Sequence, residues 1–487
     1  MSFLNAGDGL VIAVYLAGIV AFGLWCGRDQ HNTRDYFLGG KDIPWWGIGF
    51  SIVAAETSAL TIIAVPAMAY GGNLAFLQMV IGYVIARLIL AWIMVPHYLA
   101  GEIYSPYQLF GDAFGAPARL LAGGFFLISE TLAAGVRVYV ACIPLQLLLG
   151  LNVLPTVVLF VVVSLLYTFV GGVRAVIWTD AVQFGLFLAG GLFTLAYIPT
   201  VVEGGLTAVV AEAGRAGKLV WLNTHFSLAA PINIWMGVIG GTVMVMSSHG
   251  AEQLIVQRVL SCKSVAEGRK ALMLSAVLIF PLFFIFLLTV VMLWVYYQHV
   301  APAIPLPEPR PGIKANDFIY PIFMLTAVPH WLKGFLLVAL LSAAMSSVSS
   351  ALTALASVST MDFVKRLEKR PRSEAFYLRF SKYSTVVWAL GLIVVAYLSR
   401  RVEFVLNAAF SLRGLTSGAL LGGLLLAVFG KRGRPGPVVA GMTASLLVML
   451  YLSVAWTNQV YWPWFTLIGT VVTLTVAGVV RLASRPG

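Results

Sequence analysis

The sequence predicts an all-α polytopic membrane protein, and three observations support this. The 487-residue chain is 60% hydrophobic and 10% charged, with a mean hydropathy of +0.93, whereas soluble proteins carry about 25% charged residues. Apolar runs recur along the whole chain, and each approaches the ~20 residues that a helix needs to cross a bilayer. The runs are continuous and do not alternate, which excludes a membrane β-barrel.

About thirteen apolar segments are candidate membrane spans in one transmembrane domain, residues 1–487. Their approximate cores are residues 9–27, 46–70, 74–98, 120–149, 153–170, 175–199, 233–250, 271–297, 331–360, 382–399, 402–429, 436–456 and 461–481. Most basic residues, Arg258 among them, fall in one set of loops. The positive-inside rule makes these loops cytoplasmic, so we expect the N-terminus outside and the C-terminus in the cytoplasm.

Several function classes are excluded at this stage. The net charge of +12 does not indicate nucleic-acid binding, because the basic residues lie in short loops; the basic loop 362–381 fits contact with anionic membrane lipid. The chain lacks a P-loop, so ATP is not expected to drive it. Six scattered histidines give no catalytic spacing, so we expect no enzyme. The oligomeric state stays open.

The second apolar segment, SIVAAETSALTIIAVPAMAYGG, carries polar groups at mid-depth. Glu56 is costly there unless it is paired, protonated or facing water. Thr57, Ser58 and Thr61 surround it, and Pro66 follows. Small residues of this kind also serve close helix packing. With a glutamate among them, they favour a helix that unwinds and offers its carbonyl groups to a cation.

The ninth segment contains four serines in five residues, namely Ser346, Ser347, Ser349 and Ser350. Three of them share one helix face. Hydroxyl oxygens suit a monovalent cation that must bind and then leave, although serines also bond back to carbonyls of their own helix.

Other polar side chains inside the spans have two interpretations each. Asp180 is either a helix-terminal charge or part of a cation site. Glu130 and Arg137, seven residues apart, either pair with each other or leave Arg137 to bind a substrate. Arg413 likewise either pairs with an acidic side chain or binds a substrate. Gln78 is either a substrate contact or a structural residue.

Two motifs and one short pattern resemble the sodium:solute symporter family, including its sodium/glucose and sialic acid transporter-like members. The motifs are FVGGVRAVIWTDAVQ (169–183) and HGAEQLIVQRVLSCKS (249–264), and the pattern is the serine run followed by Met361-Asp362. The similarity extends from the first span to about residue 430.

The resemblance implies a leucine-transporter-type fold with a 5+5 inverted repeat. The first repeat would be 46–199 and the second 233–429, with the second and seventh spans broken. An extra first helix, 9–27, and two C-terminal helices, 436–481, would lie outside the repeats.

The same resemblance implies sodium as the only cofactor, with one or two ions bound. The first site would use the carbonyls of Ala54, Thr57 and Ala343 and the hydroxyls of Ser346 and Ser347. The second site would use Asp180, Ser346, Ser349 and Ser350.

Substrate positions implied by the resemblance are Glu56, Ser58, Thr61, Gln78 and Arg137. Related transporters tend to carry a neutral polar residue where this chain has Glu56. An acid there could neutralise Arg137, and the substrate would then be neutral or zwitterionic. Carbohydrate, carboxylate and amino-acid substrates all stay open.

We therefore expect a sodium-coupled symporter in the cell (inner) membrane that imports a small organic solute, such as a sugar, a sialic acid-like molecule or another carboxylate. One alternative is a proton-coupled symporter of the same fold, in which Glu56 and Glu130 carry the proton. The other is a substrate-gated sodium channel or sensor.

Overall fold

The structure is a computed structural model that describes residues 4–306, 315–399, 405–456 and 459–484. In these ranges the chain is helical and has no strand, which confirms the all-α prediction. The α-helices, in chain order, are α1 (Ala6–Cys26), α2 (Thr33–Leu38), α3 (Trp45–Glu56), α4 (Ala59–Gly71), α5 (Leu77–Leu99), α6 (Tyr107–Phe114), α7 (Ala116–Leu149), α8 (Val153–Val201), α9 (Gly205–Arg215), α10 (Thr242–Gly250), α11 (Gln253–Leu260), α12 (Val265–His299), α13 (Ile319–Thr326), α14 (His330–Val358), α15 (Lys365–Leu367), α16 (Glu374–Ser399), α17 (Val405–Phe429), α18 (Pro435–Ala455) and α19 (Phe465–Ala483).

Nine helices of the described chain are long and apolar enough to cross a membrane. One of them, α8, has 49 residues, far more than the ~20 that one crossing needs. It divides at Gly172, whose φ of 53° and ψ of −148° are not helical. A Cβ there would lie 2.3 Å from the carbonyl oxygen of Tyr36, so only glycine fits this break.

The predicted second segment is broken, as expected, and the chain also breaks directly after the predicted seventh segment, 233–250. Thr57 and Ser58 are extended between α3 and α4. In the seventh segment a π-helical turn, Met236–Gly241, leads into α10, and the chain breaks before α11 begins at Gln253. At each break, backbone N–H and C=O groups lose their helical hydrogen-bond partners. Such groups are tolerated at membrane depth where they line a cavity.

Close backbone contact fixes α5 against the π-helical turn. A Cβ on Gly82 would lie 2.1 Å from the carbonyl oxygen of Gly237, and the hydroxyl of Thr242 donates to the Gly82 carbonyl (3.2 Å). This contact holds Arg87 of α5 beside His249 of α10. The long helix α14 is almost entirely buried and packs against α8, α1, α7 and α3.

Candidate functional site

A cavity of about 100 Å³ lies between the two broken segments and α17. Its polar lining consists of Glu56, Ser58, Thr61, Arg137, Ser248, His249, Glu252, Arg413, Ser417 and Thr466. Aromatic side chains line it as well, namely Phe76, Tyr83, Phe283 and Trp462. Four of the five predicted substrate residues therefore meet in one cavity.

The fifth predicted substrate residue, Gln78, lies outside the lining of this cavity. Its side chain is fully buried, and both polar atoms are in use. Nε2 donates to the Ala75 carbonyl (3.1 Å), and Oε1 accepts the backbone N–H of Asn223 (3.0 Å). Gln78 thus holds the connection between α9 and α10 in place.

Glu56 forms an ion pair with Arg87 of α5. Its carboxylate also lies 3.5 Å from Nε2 of His249, and Arg87 Nη2 lies 3.1 Å from the same nitrogen. The guanidinium of Arg87 is completely buried. The expectation that Glu56 neutralises Arg137 is therefore wrong, because the close packing of α5 supplies a nearer guanidinium.

The two arginines of the cavity lining, Arg137 and Arg413, also have carboxylate partners. Arg137 pairs with Glu130, two turns away on α7, as the first interpretation of their spacing predicts. Arg413 pairs with Glu252, and its Nε lies 2.7 Å from Oε2. Among the described residues, these pairs and Glu56–Arg87 balance three carboxylates against three guanidinium groups.

Sequence reasoning missed Arg87 and Glu252 as site residues. The signal for Glu252 was its position in the HGAEQ motif, directly at a helix break. The signal for Arg87 was only its presence in an apolar segment that also holds no acidic residue, so that its partner had to come from another span.

The break in the second segment frees the carbonyl groups that the first sodium site requires. In a continuous helix, Ser58 would donate to Ala54 and Thr61 would donate to Thr57. Here the Ser58 N–H donates to Thr61 Oγ1 (3.3 Å), and the Thr61 N–H donates to the Ser58 carbonyl (2.9 Å). The carbonyls of Ala54 and Thr57 are thereby left without their usual partners. The negative end of the α3 dipole adds to their attraction for a cation.

The other residues of the predicted first site lie on α14, which packs against α3. Ala343, Ser346 and Ser347 are buried. The Ser347 hydroxyl donates to the Ala343 carbonyl (3.2 Å), and the Ser346 hydroxyl donates to Asp180 Oδ1 (2.6 Å). The structure thus presents hard oxygen atoms from both helices.

The predicted second site contains a residue that the sequence had placed in a cytoplasmic loop. Arg258 is fully buried on α11, and its Nη2 lies 2.8 Å from Asp180 Oδ2. The same nitrogen donates to the Ser350 hydroxyl. Ser349 turns instead to its own helix, where its hydroxyl donates to the Ser346 carbonyl (3.1 Å). The loop assignment of Arg258 is wrong because α11 continues inward beyond the break and meets a buried carboxylate.

Sequence comparison shows which known proteins this chain resembles. The sequence profile described as "Sodium:solute symporter family" matches residues 36–444. The sodium/sialic acid symporter NanT of Aliivibrio fischeri is 28% identical, with 96% of this chain and 91% of that protein covered. The human sodium/iodide cotransporter is 26% identical, with 92% and 70% covered.

Solved structures show the same fold. A structure described as the substrate-bound outward-open state of a Na+-coupled sialic acid symporter has a TM-score of 0.88 and 25% identity, covering 99% of both chains. The transporter Mhp1 is 14% identical with a TM-score of 0.53, covering 92% of this chain and 94% of that one, and it supports the fold alone.

These relatives are transporters and not enzymes, and the apolar helices make this chain a multi-pass protein of the cell membrane. The profile covers most of the chain, including both quoted motifs. The chain therefore belongs to the sodium:solute symporter family.

Proposed function

We propose that this protein imports a small organic solute by alternating access, driven by the inward movement of sodium. The observation that carries this proposal is the break between α3 and α4. It frees the carbonyls of Ala54 and Thr57 in the same few residues that place Glu56 and Ser58 in the cavity wall. One segment thus serves both the ion and the solute.

Sodium would bind between the broken segment and α14. Its ligands are the carbonyls of Ala54, Thr57 and Ala343 and the hydroxyls of Ser346 and Ser347. Ion and solute both contact the broken segment. Binding of either one therefore stabilises the conformation of the protein to which the other binds, and this coupling is reciprocal. Each sodium charge that crosses 100 mV contributes about 2.3 kcal/mol, and ATP has no part in the cycle.

The solute is proposed to carry no net charge. Both arginines of the cavity lining already have carboxylate partners, and Glu56 is paired with Arg87, so a plain anion would bring an uncompensated charge into a poorly solvated space. A neutral polyol or sugar uses hydroxyl contacts to Ser58 and Thr61, whereas a zwitterion adds interactions with both members of an ion pair. The aromatic lining suits the apolar faces of either solute.

For the topology we propose thirteen spans with the N-terminus outside and the C-terminus in the cytoplasm. The division of α8 at Gly172 supports two spans in that helix. The breaks in the second and seventh spans lie at corresponding places of the segments 46–199 and 233–429, which supports an inverted repeat. The basic loop 362–381 would then face anionic lipid of the inner leaflet.

Proton coupling is the second candidate, and the structure disfavours it at Glu56. A carboxylate that pairs with a buried guanidinium is stabilised in its ionised form, so it is a poor proton carrier while the pair persists. A sodium channel would conduct without solute, which current recordings on proteoliposomes test directly.

The proposal is tested by thermal unfolding of the purified full-length protein. Sodium, potassium and choline salts are crossed with neutral sugars, polyols, zwitterionic amino acids, sialic acids and monocarboxylates. A ligand that binds only the folded state raises the unfolding temperature. We expect one uncharged or zwitterionic class to stabilise the protein in sodium alone. Equal stabilisation in potassium, with a dependence on pH instead, would contradict sodium coupling.

A further inference from the structure

We propose that Arg258 is a tethered cation that takes the place of a second sodium ion, so that this protein binds and moves one sodium per solute. This inference rests on the proposed function and refines it, because sodium coupling alone leaves the number of ions open. It is carried by the contacts of one buried side chain.

The guanidinium of Arg258 is bonded by all three of its nitrogens. Nη2 lies 2.8 Å from Asp180 Oδ2 and also donates to the Ser350 hydroxyl. Nε donates to the Ser51 hydroxyl (2.8 Å), and Nη1 donates to the Leu254 carbonyl. The side chains of Arg258 and Asp180 are both fully buried.

The oxygen atoms of the predicted second site are consequently in use. Asp180 Oδ2 accepts from Arg258 and from the Ser51 hydroxyl (2.6 Å), and Oδ1 accepts from Ser346 (2.6 Å). The Ser350 hydroxyl accepts from Arg258. A sodium ion bound to the same oxygens would lie beside the guanidinium in a medium of low dielectric, where two positive charges repel strongly.

Charge balance leads to the same conclusion. Asp180 carries one negative charge, and Arg258 compensates it. A sodium ion here would lie beside Arg258 with no further carboxylate to offset the repulsion, because the other side chains that are hydrogen-bonded to this pair in the described part of the chain are the hydroxyls of Ser51, Ser346 and Ser350. The contacts join α3, α8, α11 and α14, so the arginine also holds the inner half of the seventh segment against the ninth.

The test counts bound sodium ions on the purified full-length protein by equilibrium binding of radioactive sodium alone. We expect one ion for the wild type. Arg258→Gln keeps hydrogen-bonding capacity but removes the charge, and we expect it to bind two ions because Asp180 is released. The double variant Arg258→Gln with Asp180→Asn should return to one ion. Arg119→Gln is the matched control, because Arg119 also pairs with a buried carboxylate, that of Asp362, and should leave the count at one.

The outcomes separate this inference from the proposed function. Two ions on the wild type, or one ion on a folded Arg258→Gln variant, would overturn the inference while leaving sodium coupling intact. If Arg258→Gln does not fold, Asp180→Asn decides. If Asp180→Asn still binds one ion, Arg258 is the partner of Asp180 and the inference stands. If Asp180→Asn binds one ion fewer than the wild type, sodium itself uses this carboxylate and the inference is overturned. No sodium binding to the folded wild type would instead refute the proposed function.

Discussion

Ser346 and Asp180 are joined across the interface of α14 and α8 by a hydrogen bond of 2.6 Å between Oγ and Oδ1. The serine is thus oriented by the carboxylate of the predicted second site while it belongs to the predicted first site. Its hydroxyl donates its only proton to Asp180, which leaves its lone pairs to face a cation.

Ser346→Ala is expected to abolish most sodium-coupled uptake. It removes an oxygen ligand from the first site and leaves a lone pair of Asp180 unsatisfied. Losing the hydrogen bond to Asp180 costs about 1.5–3 kcal/mol of stability. Losing the oxygen ligand should in addition raise the half-saturating sodium concentration by about tenfold or more, or about 1.4 kcal/mol. Uptake into proteoliposomes at varied sodium measures this.

Ser275→Ala serves as the control for that variant. Ser275 is also fully buried, but its hydroxyl donates only to the Leu272 carbonyl of its own helix (2.7 Å). Sodium dependence should be unchanged in this variant. If Ser346→Ala keeps wild-type uptake at low sodium, the proposed first site is wrong.

Thr61→Val should weaken both ion and solute binding. Thr61 Oγ1 accepts the Ser58 N–H, and this contact stabilises the break that frees the Ala54 carbonyl. Without it, a buried donor is unsatisfied at a cost of about 1–3 kcal/mol. Sodium and solute titrations, followed by thermal unfolding, should both shift to higher concentrations.

The matched substitution is Thr289→Val on α12. Thr289 is buried, and its hydroxyl has no hydrogen-bond partner among the described residues. Valine there should be neutral or slightly stabilising. Equal effects of the two valine substitutions would argue against a special role for the break.

Glu56→Gln should destabilise the fold and change the preferred charge of the solute. Breaking a buried ion pair by removing one partner costs about 3–5 kcal/mol, because Arg87 is left charged and buried. The cavity then gains one net positive charge, so monocarboxylates should compete better against the native solute. Thermal unfolding and competition uptake give the two readouts.

Glu212→Gln is the comparison for stability. Glu212 pairs with His299 at 2.8 Å, but both side chains are substantially exposed, and such pairs contribute about 0–1 kcal/mol. If the Glu56→Gln variant is as stable as the Glu212→Gln variant, the Glu56–Arg87 pair does not stabilise the fold as a buried ion pair.

Gln78→Leu should affect the connection between α9 and α10 more than solute selectivity. The substitution removes the acceptor for the Asn223 N–H, so proteolysis within residues 218–235 should become faster. Gln298→Leu, at an exposed glutamine, should leave proteolysis unchanged. Altered selectivity between solutes with unchanged proteolysis would restore Gln78 as a substrate contact.

The sequence predicted those features that depend on neighbouring positions. A pair between Glu130 and Arg137 was one of two interpretations, because seven residues make two helical turns, and the structure shows that pair. The break at Thr57 was recognised because polar residues and a glutamate interrupt an apolar span. The serine run of α14 was recognised for the same reason, although the structure shows that Ser349 bonds back to its own helix.

Pairings between distant segments were not predictable in this way. Arg258 and Asp180 are 78 positions apart, and Glu252 and Arg413 are 161 apart. Which guanidinium meets which carboxylate depends on how the helices pack, and hydropathy carries no information about this. For this reason Arg258 was assigned to a cytoplasmic loop, although it is buried and bonded to Asp180.

The division of α8 at Gly172 has a consequence for the biogenesis of the protein. The two halves of this helix are joined by one glycine, so no polar loop separates them during synthesis. In the proposed topology the two halves are separate spans, and we expect them to insert into the membrane together. A residue that distorts this junction would therefore reduce the amount of inserted protein before it affected any step of transport.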